Sequence, residues 1–199
     1  MYFTILKVFL FFFFLYYVFY DSTVKLGEGI KIPIEPQQKN LKVEEVFKFQ
    51  DNFILTKKAT YEIEAKILAK ENYYFDSNSK IVPIDLALGW KEMSDEKNLE
   101  NISITQGNRW YYWMARNSKI SLKQIELLSA NHHIIPSNEE ILEELENIEE
   151  GELVKLEGFL VDIYNEKEKQ TYKTSLSRND VGSGACEIVF VTKIQKIIK

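Results

Sequence analysis

Among its 199 residues the chain carries one cysteine, Cys186, and two histidines, His132 and His133. A thiolate is a strong nucleophile, and an imidazole within hydrogen-bond reach can take its proton, so these residue types can support covalent acyl transfer. Arg178, shortly before the cysteine, adds a permanent charge suited to a developing oxyanion. In that arrangement Cys186 is the nucleophile, His132 or His133 the base and Arg178 the oxyanion stabiliser. The segment holding both, 175–187 (SLSRNDVGSGACE), also contains Gly182 and Gly184. Their freedom at positive φ lets successive N–H groups form a small anion-binding nest. It is not a P-loop, because no Lys-Ser/Thr follows the glycines and a strand is expected after them.

Each of these signals has a structural counterpart. Adjacent side chains diverge on a helix and oppose one another on a strand, so His132 and His133 are poorly placed to share a metal. No third ligand stands at a familiar spacing, and no metal or cofactor is expected. Cys186 alternates with Ile188 and Phe190, while Ala185, Glu187, Val189 and Val191 fall on the other face. A strand apolar on both faces is central, and a cysteine there ordinarily packs as a small hydrophobe. The loop reads equally as a hairpin connection with Arg178 paired to Asp180 or Glu187.

A second set is aromatic: Trp90, Trp110, Tyr111, Tyr112 and Trp113. On a strand Trp110 and Tyr112 face one side and Tyr111 and Trp113 the other, so one pair should point away from the core. Exposed rings can stack on sugar or peptide, with Arg109 beside them. Arg109, Arg116 and Arg178 are the three arginines of a lysine-rich chain, and so are candidates for bidentate pairing or ring stacking. The expected ligand-binding residues are Arg109, Trp110, Trp113, Gly182 and Gly184.

A tethered domain with a His, a later Cys and a nearby Arg is similar to the sortase-type transpeptidases, which use those three groups on a β-barrel. Sortases carry a T-x-T-C strand end with the Arg downstream. Here Cys186 begins a strand and Arg178 precedes it, so no membership of that family is read from the similarity.

The elements that must position these residues are mixed. Tyr61 to Ala69 alternates apolar and polar residues as a half-buried strand. Phe47, Phe49, Phe53 and Leu55 suggest a hairpin about Gln50–Asn52. Ile81 to Trp90 reads as an apolar connection with Asp85 in its middle. Ser94 reads as the cap of a short helix, Ser121 as that of a second, and Ser137 with Glu140 as a capping box for a third. Ile104 to Ala115 reads as one strand, and Leu153 to Tyr164 as a long one bent at Gly158. Together these predict an α+β domain, a strongly bent sheet or small OB/SH3-like barrel with two or three short helices.

Residues 8–20 (VFLFFFFLYYVFY) carry no charge, Gly or Pro. With Lys7 snorkelling, residues 1–20 are long enough for a transmembrane signal anchor, and no A-x-A cleavage site follows. Residues 21–40, with Gly27, Gly29, Pro33 and Pro36, read as a stalk, and 41–199 as the domain. The formal net charge is −5 with scattered basic residues, unlike a nucleic-acid binder. The lone cysteine excludes an intrachain disulfide. The reading favoured at this level is a single-pass, membrane-anchored cell-envelope domain, a binding or assembly module on the extracytoplasmic side. Its partners would be the membrane, through residues 1–20, and an envelope protein or glycan. The alternative is a Cys–His acyl-transfer enzyme of transpeptidase or peptidase type.

Overall fold

β-branched and aromatic residues recur from Gln37 onward, and the segments that carry them pair into strands. In the computed structural model residues 23–50, 52–177, 180, 182 and 184–198 are described. They form β1 (Gln37–Phe49), β2 (Phe53–Asn72), β3 (Ile84–Gly89), β4 (Ile102–Gly107) and β5 (Trp110–Ala115). After these come β6 (Ser129–Pro136), β7 (Leu153–Asn165), β8 (Gln170–Tyr172) and β9 (Glu187–Lys196). Three short helices lie between them: α1 (Glu96–Leu99), α2 (Leu122–Leu128) and α3 (Glu139–Glu146).

The long strand β2 organises the sheet. It pairs antiparallel with β7 on one edge, and with β1 and then β3 on the other. β3 pairs antiparallel with β6, β6 parallel with β9, and β9 antiparallel with β7. The ring β2-β3-β6-β9-β7 therefore closes, with β1 and β8 as flanking strands. Closure pairs the edges that an open sheet would expose. β4 and β5 form a separate two-stranded hairpin. Closing so few strands needs sharp bends, and Gly158 supplies one: the β7–β9 register shifts beside it. A Cβ at this position would lie 2.0 Å from the Phe190 carbonyl oxygen.

Alternation along the strands divides the apolar residues between two clusters. Ile134, Val189 and Val191 join Tyr61, Ile63, Leu86 and Leu156 in the larger one, which fills the barrel. Ile135, Ile188 and Phe190 turn to the opposite face and pack with Leu55, Val161 and Phe47.

The expected α+β class is overturned. Half of the structure, 50%, is strand and 13% helix, so the protein is mostly β. Helices of four to eight residues cannot form a layer of their own and serve as connections. The segment read as a connection, that of β3, is a strand of the ring, as is β6, and Ile104 to Ala115 divides into the β4–β5 hairpin. The anchor expected over residues 1–20 lies outside the described residues. Among the described residues no helix is long and apolar enough to cross a membrane.

Residues 23–36, in the segment read as a stalk, lie against the barrel. Ile32 is 0% exposed within the larger cluster. The Lys31 and Ile32 N–H groups donate to Ser94 Oγ at 3.0 and 2.9 Å, and Val24 N–H donates to the Glu150 carbonyl at 2.8 Å. Ser94 is thus a clasp for this segment, and Asp95 caps α1 in its place. Ser121 caps α2 in a capping box with Gln124, whereas α3 is capped by Asn138.

Candidate functional site

The site grows from the pairing of β3 with β6. In that ladder Asp85 lies opposite His133, and Leu86 opposite His132. Successive side chains on a strand point to opposite faces. His132 enters the barrel, fully buried, with its Nε2 2.9 Å from Tyr61 Oη and 3.9 Å from Glu187 Oε2. His133 takes the outer face, and its Nδ1 lies 2.8 Å from Asp85 Oδ1. A carboxylate on Nδ1 fixes the ring orientation and leaves Nε2 for another partner.

Cys186 lies beside the same imidazole, and the two side chains line one cleft. The parallel pairing of β6 with β9 brings it there: His132 faces Glu187 and His133 faces Ile188, so Cys186 arrives one residue earlier, level with Asn131. The thiol is half-buried. It lines a cleft of about 290 Å³ with Arg109, Trp110, His133, Tyr172 and Gly184. A second cleft of about 250 Å³ begins at the same thiol and runs past Trp110, Tyr111, Trp113, Asn131 and Gly182. Cys186 and Trp110 are common to both.

The electrostatics follow the geometry. Burial alone would lower the pKa of His133. The hydrogen bond to Asp85, the charge of that carboxylate and the neighbouring Cys186 outweigh it, and the pKa is pushed up to about 9. Asp85 itself is fully buried on β3.

No family model matches the chain, and no curated protein matches it. The site is therefore defined by its own geometry.

Arg109 ties the surrounding loops together. It occupies the β4–β5 turn, where Asn108 and Arg109 both have positive φ, 53° and 67°. Its Nη2 contacts both carboxylate oxygens of Asp76, at 2.8 and 2.7 Å, and Nε adds a bond of 3.0 Å. Nη1 donates to the Val82 carbonyl at 2.8 Å and reaches Asp85 Oδ1 at 3.4 Å, while the guanidinium lies 3.6 Å from the centre of the Tyr73 ring. Bidentate pairing and ring stacking are the uses for which an arginine is suited over a lysine. Burial and the Asp85 charge push the Tyr73 pKa up to about 12.

Asn131 completes the surroundings. Its Oδ1 accepts from Gln106 Nε2 at 2.6 Å, and its Nδ2 donates to the Arg109 carbonyl at 3.4 Å and contacts Cys186 Sγ at 3.8 Å. On β5, Trp110, Tyr112 and Met114 are exposed, whereas Tyr111 and Trp113 are half-buried. Gly182 and Gly184 both have positive φ, 82° and 88°. Arg178 and its expected pairings lie outside the described residues. Among the described residues no group of three His, Cys, Asp or Glu side chains is placed to hold a metal ion.

Of the residues singled out by sequence, Cys186, His133, Arg109, Trp110 and Gly184 line one cleft. His132 stands apart inside the barrel. Asp85 and Asn131 were not singled out. The available signal for Asp85 was a lone carboxylate within the apolar run IVPIDLALGW, since a buried carboxylate requires a partner.

Proposed function

We propose that the domain performs thiol-dependent acyl transfer or hydrolysis, with Cys186 as nucleophile, His133 as base and Asp85 as the group that orients the imidazole. The observation that carries this reading is the Asp85–His133 pair beside Cys186, with imidazole and thiol lining one cleft and the thiol also lining a second. Nucleophile, base and orienting group within hydrogen-bond reach are the recurring requirements of covalent catalysis. In this scheme His133, already protonated, stands beside the Cys186 thiolate, which forms a C–S bond to a carbonyl carbon. The leaving group departs with the proton from His133. Water, or an amine in a transfer reaction, then attacks the thioester, gives a proton to His133 and releases the thiolate beside the protonated imidazole. His132 has no part in these steps.

A second reading, a binding or assembly module, is favoured by the exposed face of β5, where Trp110 is 40% and Tyr112 55% exposed. Such rings can stack on a glycan or peptide. The two readings share one surface, and association with a membrane through the uncharged run 8–20 and an extracytoplasmic, cell-envelope location belong to both.

Iodoacetamide separates them. Under the acyl-transfer reading Cys186 labels faster in the folded chain than in the unfolded chain at neutral pH, and His133→Ala slows it about tenfold or more. Labelling that is slower in the folded chain and indifferent to His133 leaves the binding reading alone.

A further inference from the structure

We infer that Asn131 is a further catalytic residue, its side-chain Nδ2–H donating to the oxyanion that forms when Cys186 attacks a carbonyl carbon. This rests on the acyl-transfer reading. Three observations carry it. Asn131 lines the cleft that begins at the thiol, and its Nδ2 already touches Cys186 Sγ at 3.8 Å. An oxyanion sits two bonds from the sulfur, so a donor in contact with the sulfur can reach it at the roughly 2.7–3.1 Å that such stabilisation requires.

The orientation of the carboxamide is also set. A backbone carbonyl only accepts, so the Arg109 carbonyl at 3.4 Å must face Nδ2, while Gln106 Nε2, at 2.6 Å from Oδ1, donates to the other end. Turning the amide over would set two acceptors against each other at one end and two donors at the other. Finally, Asn131 is only 2% exposed, so its donor works where water competes poorly. A preset, buried donor needs little rearrangement as charge develops.

The step balances without another reagent. The thiolate forms the C–S bond, the carbonyl π pair moves to oxygen, and that oxygen accepts from Asn131 Nδ2–H. When the pair returns, the C=O bond is restored and the bond to the leaving group breaks. His133 Nε2 supplies the leaving group's proton. Asn131 neither gains nor loses one.

Two reactions of the same thiol test the assignment in the full chain. Acylation by p-nitrophenyl acetate passes through an oxyanion, whereas alkylation by iodoacetamide is a displacement at carbon and does not. Asn131→Ala should slow acylation by about 100-fold and change alkylation by less than about twofold. Gln106→Ala alters a half-buried hairpin residue and frees the carboxamide to turn, so it should slow acylation selectively but by less. It preserves the test if Asn131→Ala fails to fold. Equal slowing of both reactions, or of neither, in the variants that fold overturns the role of Asn131. Failure of the acyl-transfer reading is seen separately, as wild-type alkylation that is slow and indifferent to His133.

Discussion

His133 lies beside two groups that favour its protonated form, Asp85 on Nδ1 and Cys186 in the same cleft. Its pKa in the folded chain, about 9, stands above the ordinary value of 6.5. A raised folded-state pKa means that the native state holds a proton that the unfolded state releases. The resulting stabilisation is complete below about 6.5 and is lost as pH rises through about 9. Imidazole titration followed by NMR should place the midpoint near 9 in the wild type, and lower it in both Asp85→Asn and Cys186→Ser. An unshifted wild-type midpoint of 6.5 would mean that neither neighbour acts on the ring in solution. A denaturant series at pH 6 and pH 9.5 should also show less stability at the higher pH, with a smaller difference in Asp85→Asn.

At the scale of elements, the ring depends on the close approach of β7 and β9 at Gly158. Gly158→Ala sets a methyl against the Phe190 carbonyl and should cost about 3 kcal/mol in chemical denaturation. Gly107→Ala is the control: a Cβ there meets nothing within 4 Å, and the effect should stay within about 0.5 kcal/mol. A Gly158→Ala variant as stable as the control would show that the two backbones do not approach so closely. The same scale explains what could be read beforehand. β2 and β7 were legible because β2 alternates and β7 is long and rich in apolar residues. β3 was not, because every residue of Ile84–Gly89 is buried and a strand covered on both faces shows no alternation. β6 opens Ser-Ala-Asn-His-His, residues with weak strand preference, and is a strand because neighbours on both edges pair with it. These two strands carry Asp85 and His133. Cys, His and Arg were visible as residue types, while the contact between the first two depended on strands without a local signature.

Across the whole molecule, the segment before β1 belongs to the folded unit. Ile32 is fully buried and its neighbours are held by Ser94. Ile32→Ala should therefore cost about 3 kcal/mol, within the usual range for a large core side chain, and lower the melting temperature of the domain. A substitution without effect would detach this segment from the core. The parallel pairing of β6 with β9 has a different consequence, one of timing. The strand that sets Cys186 beside His133 is also the strand that shuts the ring. In a nascent or unfolding chain the sulfur has no imidazole beside it and behaves as an ordinary thiol. On the proposed acyl-transfer reading, its chemistry would be armed by completion of the barrel and disarmed when that barrel opens.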